Sequence, residues 1–179
     1  MIQFYVGDGK GKTTAAIGLA VRALGAGLRV AFVQFDKGEA PDGAGYSERR
    51  VLAQLDGLTL IATGRDRRNP DGSFQTENTD EDYREARHGL EVVARLLDNG
   101  RHDLLVCDEL LTCVTTGLVE RGDVEAVLDR HAGREAIELV MTGRCTDQAL
   151  LGRADLVTEM RNVKHYYDAG VEARRGYDY

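Results

Sequence analysis

The sequence is poor in cysteine and histidine and has no long apolar run, and each shortage removes a class of function. Its three cysteines, Cys107, Cys113 and Cys145, are odd in number and show no C-x-x-C spacing. Neither a zinc site nor a disulfide framework is suggested, and reduced thiols in a cytoplasmic protein are expected. His88, His102, His131 and His165 show no metal-ligand spacing, and no Ser-His-Asp or Cys-His arrangement stands out. If the chain is an enzyme, its nucleophile then comes from a substrate. No apolar run approaches the roughly eighteen residues needed to span a bilayer. Residues 2 to 6 lead straight into a glycine-rich loop without a basic region, a long apolar region or a cleavage site, so no signal peptide is expected. Positive charge is also short. A net charge of -7 and a pI near 5.1 argue against nucleic acid or an anionic membrane as partner, because both are polyanions. Any anionic ligand must be caught locally. With no internal repeat, low-complexity tract or linker, a chain of 179 residues that is 42% hydrophobic is expected to form one domain over residues 1–179.

What is present is a regular alternation. Ile2 to Val6 is a short apolar run of β-formers, followed by a glycine-rich loop and then by helical spacing from Thr13 to Leu24, which ends at Gly25 and Gly27. Leu28 to Phe35 and Leu58 to Ala62 read as buried strands, and Asp80 to Leu97 as a helix stopped by Asn99-Gly100. Leu104 to Cys107 and Ile137 to Met141 are two further apolar runs. Strands alternating with helices imply right-handed crossovers and a mostly parallel sheet with helices on both faces, an α/β fold. Ligands of such sheets sit at the carboxyl ends of the strands. The stretch from Gly64 to Thr79, with Pro70 and Gly72, has no periodicity and reads as a long loop over or beside that edge.

Three strand ends carry chemistry. After the first comes Gly7-Asp8-Gly9-Lys10-Gly11-Lys12-Thr13-Thr14. Its glycines allow backbone N–H groups to turn around phosphate oxygens, the helix N-terminus adds positive potential, Lys12 a point charge and Thr13 a hydroxyl for Mg²⁺. The usual loop reads G-x-x-x-x-G-K-[ST], whereas only three residues separate Gly7 from Gly11 here. The shorter loop changes which phosphate lies deepest, so the nucleotide need not lie as in ordinary hydrolases. The second strand end is Asp108-Glu109 after four apolar residues, the form of a Walker B strand whose carboxylate meets Mg²⁺ directly or through water. Which carboxylate does so stays open, with Glu109 favoured. The third is Thr142-Gly143-Arg144, which would aim a guanidinium at phosphate oxygens or stand as a surface arginine. Arg22, nine residues after Thr13, is a weaker candidate of the same kind.

The loop GDGKGKTTAAIGLAVRALGAG, VQFDKG (Val33 to Gly38), CDEL (Cys107 to Leu110), TGR (Thr142 to Arg144) and the tail VKHYYDAGVEARRGYDY (Val163 to Tyr179) together resemble the P-loop type of ATP:corrinoid adenosyltransferases. The resemblance implies a RecA-like parallel α/β domain, usually a cytoplasmic homodimer. It implies that ATP binds the shortened loop in a reversed sense, presenting the ribose 5′-carbon to Co(I) of a reduced corrinoid, with triphosphate released, in adenosylcobalamin biosynthesis or salvage. By the same analogy Gly7, Asp8, Gly9, Lys10, Gly11, Lys12, Thr13 and Thr14 form the phosphate site. Thr13 and Glu109, with Asp108, serve Mg²⁺, Arg22 and Arg144 reach the triphosphate, and an electron-donor flavoprotein is a possible partner.

Two departures from the family pattern set further expectations. Longer members carry an N-terminal segment near the active site, whereas this chain begins on its first strand. Members also place aromatics after an A-T-G segment to displace the lower axial ligand of cobalt. Here Ala62-Thr63-Gly64 precedes Arg65-Asp66-Arg67-Arg68, and Phe74 is the first aromatic. Either Phe74 substitutes or cobalt is activated differently, and the basic loop suggests a corrinoid bearing carboxylates. Tyr166, Tyr167, Tyr177 and Tyr179 either face the corrinoid or pack at a dimer seam or domain edge. The alternatives are a RecA-like ATPase or phosphotransferase acting at the γ-phosphate, and a binding module that delivers its ligand without turnover.

Overall fold

The computed structural model describes residues 1–38, 46–67, 75–134 and 136–178. In chain order the elements are β1 (Ile2–Val6), α1 (Lys12–Gly25), β2 (Val30–Gln34), α2 (Arg49–Leu52), β3 (Leu58–Ala62) and α3 (Asp80–Asn99). Then follow β4 (Leu104–Asp108), α4 (Leu110–Thr115), α5 (Arg121–His131), β5 (Glu138–Thr142), α6 (Gln148–Leu151), β6 (Leu156–Glu159) and a short 3-10 turn at Tyr166–Ala169. The strands form one six-stranded sheet in the order β3-β2-β4-β5-β1-β6. Every neighbouring pair is parallel, so the expected mostly parallel sheet is parallel throughout.

Both faces of the sheet are buried, which explains why its central strands read as unbroken apolar runs rather than alternations. Successive side chains point to opposite faces. Val30 and Phe32 of β2, Leu104 and Val106 of β4, and Val140 of β5 pack with Ala16, Ala20 and Ala23 of α1. The residues between them, Ala31, Val33, Leu105, Cys107, Leu139 and Met141, pack on the other face. That second face receives Val92, Val93 and Leu97 of α3, Leu110 and Leu111 of α4, and Val124 and Leu128 of α5. Alanine on the inner side of α1 lets that helix lie close to the sheet. Cys107 and Cys113 are buried and unpaired, and Cys145 is also free; burial raises the thiol pKa of both Cys107 and Cys113.

Element boundaries follow local chemistry. A reciprocal capping box starts α3: Asp82 N–H donates to Thr79 Oγ1 at 3.4 Å, and Thr79 N–H donates to Asp82 Oδ2 at 2.8 Å. The last residue of α3 is Asn99, and Gly100, at φ 59°, caps it, at the expected Asn99-Gly100 stop. The strand expected over Leu28 to Phe35 is shorter at both ends. Leu28 N–H donates to Ala23 O at 3.0 Å and so belongs to the exit from α1, while Arg29 is bound to Asp103. β6 was not expected from the sequence. None of the helices among the described residues is long and apolar enough to cross a membrane.

Candidate active site

Because all strands run the same way, the ends of β1, β2, β4 and β5 meet along one edge of the sheet. At β1 the chain turns through Gly7 at φ 107° and Gly11 at φ 117°, a left-handed region open to glycine. A Cβ on Gly7 would lie 2.3 Å from the carbonyl oxygen of Met160, and one on Gly9 2.7 Å from the same atom. The loop therefore lies against the backbone that leaves β6, and Gly9 N–H donates to Met160 O at 2.8 Å. Gly11 is the N-cap of α1 and no side chain caps it, so the N–H groups of the first turn, including those at Thr13 and Thr14, face outward for an anion. Lys12 folds back over the loop, donating from Nζ to Gly7 O and Gly9 O, each at 2.8 Å. Burial lowers its pKa; Glu109 opposes this and Arg144 reinforces it, and the net shift is downward. Asp8 accepts from Asn162 N–H at 3.3 Å.

At the end of β4, Asp108 is fully buried and both its oxygens are engaged. Oδ2 accepts from Lys37 Nζ at 2.7 Å and Oδ1 from Thr142 Oγ1 at 2.7 Å. Glu109 follows at φ 64°, an uncommon conformation for a residue other than glycine, and begins α4. Its N–H donates to Thr142 Oγ1 at 2.9 Å, and its Oε2 accepts from Thr112 Oγ1 at 2.5 Å. Thr112 Oγ1 in turn accepts from Arg144 N–H at 2.9 Å. Thr142 and Thr112 thus tie β4, α4 and the turn after β5 together. The Arg144 side chain is exposed and its charge acts on Lys12. Hard oxygen donors at Thr13 and Glu109 suit Mg²⁺.

Lys37, at the end of β2, is a residue that sequence reasoning missed. Its ammonium binds Asp108 and also donates to Thr13 Oγ1 at 3.2 Å. Burial by itself lowers the pKa of Lys37, but the adjacent Asp108 carboxylate outweighs it and the net shift is upward. The available signal was position: the VQFDKG segment ends a strand, and strand ends carry the site. Beside Lys37 lies a cavity of about 210 Å³ lined by Phe35, Asp36, Lys37, Tyr46, Glu109 and Thr112. The Tyr46 ring stands 5.1 Å from Lys37 Nζ and 4.9 Å from the Arg49 guanidinium. A larger groove of about 550 Å³ lies between α3 and α5 and includes none of the expected site residues.

Other expected residues lie elsewhere. Lys10 is bound to the tail, with Nζ 2.7 Å from Asp178 Oδ1 and bonded to Tyr177 O. Arg22 is exposed in the last turn of α1, about 13 Å along the axis from Thr13 at the helical rise, and its charge acts on Tyr5. Two arginines of the basic loop are paired within the fold: Arg65 Nε lies 2.8 Å from Asp82 Oδ1, and Arg67 Nε 2.7 Å from Asp36 Oδ1. These two arginines are engaged within the fold and are not themselves free to select a carboxylate-bearing corrinoid. Arg68, Phe74 and Tyr179 lie outside the described residues. In the tail, Arg174 stands 4.7 Å from the Tyr166 ring and 5.0 Å from the Tyr177 ring, while the Tyr177 side chain remains largely exposed.

A parallel α/β sheet with a glycine loop, an uncapped helix N-terminus and an acidic strand end side by side defines a nucleotide-binding protein of the P-loop class. The particular kind follows from comparison with known proteins. The family model described as "ATP:corrinoid adenosyltransferase BtuR/CobO/CobP" matches residues 1–179, and the chain belongs to that family. It is 35% identical to the corrinoid adenosyltransferase of Escherichia coli over 181 residues, covering 100% of this chain and 85% of the relative. The same identity and coverage hold for "Corrinoid adenosyltransferase CobA" of Salmonella typhimurium. The corrinoid adenosyltransferase of Pseudomonas aeruginosa is 33% identical over 176 residues, covering 98% of this chain and 81% of the relative.

Proposed function

We propose that this protein transfers the 5′-deoxyadenosyl group of ATP to Co(I) of a reduced corrinoid and releases triphosphate, in adenosylcobalamin biosynthesis or salvage. The observation that carries the reading is the state of the two carboxylates beside the phosphate loop. Both oxygens of Asp108 are bound, by Lys37 and Thr142, and Thr112 holds one oxygen of Glu109, so Asp108 is not poised to activate water and the free oxygen of Glu109 is left for a metal ion. An attacker that needs no base suits such a site, and Co(I) is a strong nucleophile brought by the substrate. Its electron pair forms the Co–C5′ bond as the C5′–O bond breaks, and that bonding pair leaves with the triphosphate.

What remains for the protein is orientation and charge. The backbone of Gly7, Gly9, Gly11, Thr13 and Thr14 holds phosphate oxygens, with Asp8 and Lys10 in the same loop. Lys12 and Arg144 stabilise the negative charge gathering on the leaving group, and Arg22 adds only long-range positive charge. Mg²⁺, when bound by Thr13 and Glu109, neutralises further phosphate charge. Fixed groups of this kind contribute about 10²- to 10³-fold each, because they need not reorganise as charge develops. The reading extends to a cytoplasmic homodimer and to an electron-donor flavoprotein, since cobalt must be reduced before it attacks.

The test is the visible spectrum of cob(I)alamin mixed anaerobically with the protein and MgATP. An ATP-dependent product that light returns to a non-alkylated corrinoid supports a cobalt–carbon bond. Absence of a light-sensitive product would contradict the reading.

A further inference from the structure

Lys37 has no role in the chemistry derived above, yet it is held as firmly as any residue of the site. It is 9% exposed. Its N–H donates to Thr63 O at 3.1 Å, its carbonyl accepts from the Arg49 guanidinium, and its ammonium faces the Tyr46 ring. Burying an ammonium costs several kcal/mol unless it is paired, and here it is paired with Asp108 and Thr13 together. In P-loop NTPases those two positions, the loop hydroxyl and the strand-end aspartate, share the magnesium ion. In this chain an ammonium stands between them.

We infer that Lys37 is a positioning residue: a built-in cation that takes Asp108 as its counter-charge and orients the Thr13 hydroxyl, so that a divalent ion is left to Thr13 and Glu109. Three observations support it. Lys37, with Gln34 Nε2 at 3.5 Å, occupies one oxygen of Asp108, and Thr142 occupies the other. Gln34 is itself fixed by Arg49 Nε at 2.6 Å, so the Asp108 partners are anchored. Glu109 is only partly buried and its left-handed backbone breaks it out of the strand direction. The inference rests on the proposed reading for the presence of ATP and a divalent ion, and not for the identity of the attacker.

The experiment is titration of the full-length protein with Mn²⁺ in the presence of ATP and without corrinoid, read as free Mn²⁺ by electron paramagnetic resonance. Glu109→Gln is expected to weaken Mn²⁺ binding by about tenfold or more, while Asp108→Asn stays within about twofold of wild type. Equal losses in the two variants would overturn the inference. Lys37→Met gives an independent arm if Asp108→Asn fails to fold, which circular dichroism would show. With Asp108 released, Mn²⁺ affinity is expected to rise at least about threefold, and an unchanged or lower affinity would overturn it. Because corrinoid is absent, failure of adenosyl transfer in a separate assay leaves this result standing, and the converse also holds.

Discussion

The ammonium of Lys10, inside the phosphate-binding loop, lies 2.7 Å from the carboxylate of Asp178, which is 168 residues further along the chain. Asp178 also accepts from the Tyr166 hydroxyl and from Arg174 N–H. A tail carboxylate therefore neutralises a lysine that the loop would otherwise offer to phosphate. Its hydrogen bonds to Lys10, Tyr166 and Arg174 hold its pKa well below the usual carboxylate range, so it remains anionic at neutral pH.

If Asp178 and triphosphate compete for Lys10, Asp178→Asn should tighten ATP binding. The gain is that of a solvent-accessible ion pair, about two- to fivefold. Calorimetric titration with ATP at low salt measures it, and an unchanged or weaker affinity would show that the tail supports binding instead.

Lys12→Ala removes the charge proposed to stabilise the leaving triphosphate together with the two hydrogen bonds that fasten Gly7 O and Gly9 O. The single-turnover rate of adenosylation should fall by about 10²- to 10³-fold. A variant that retains the full rate would remove Lys12 from the chemistry.

Two glycines near the start of the chain should respond oppositely to alanine. Gly9→Ala drives a Cβ to 2.7 Å from the Met160 carbonyl oxygen, a rigid backbone atom, whereas a Cβ on Gly18 meets nothing within 4 Å. Gly18 lies inside α1, where alanine is favoured over glycine by about 0.5–1 kcal/mol. Urea unfolding should show Gly18→Ala stabilised by that amount and Gly9→Ala destabilised, with ATP binding lost in the second. The same sign of change in both would contradict the packing described here.

Acid sensitivity should centre in part on Asp82. Burial raises its pKa, but hydrogen bonds from Arg65 and Thr79 outweigh burial and the folded value lies below the ordinary 3.8. The stabilisation is therefore complete above about 3.8, the unfolded value, and is lost as pH falls from there through the lower folded value. Asp82→Asn should cost on the order of 3 kcal/mol at pH 7 by breaking a buried ion pair, and the gap to wild type should narrow as pH falls below the ordinary 3.8. A gap independent of pH would exclude this cluster as a source of acid sensitivity.

What could be read from the sequence divides along a physical line. β1, β2, β3, β4 and β5 were legible because apolar β-formers gather in short runs, and α3 because its period, capping residues and Asn99-Gly100 stop agree. β6 was not: its four residues, LVTE, are all exposed, and its pairing with β1 aligns Gln3 with Leu156 across most of the chain. The phosphate loop, Asp108-Glu109 and Thr142-Gly143-Arg144 were legible because each follows a strand at the same edge. Lys37 was not, because a lysine after a strand reads as solvated until Asp108, 71 residues away, is placed beside it. The same holds for Arg65 and Arg67, whose apparent basic surface is cancelled by Asp82 and Asp36 only after folding. Local signals revealed elements and motifs, while distant pairing decided which charges are available.

The most direct measurement is phosphorus NMR of the products formed from MgATP and chemically reduced cobalamin, beside a tube without corrinoid. Triphosphate that appears only with the corrinoid is the expected result, since attack at the 5′-carbon leaves all three phosphates joined. ADP and phosphate in both tubes would place the attack at the γ-phosphate and contradict adenosyl transfer.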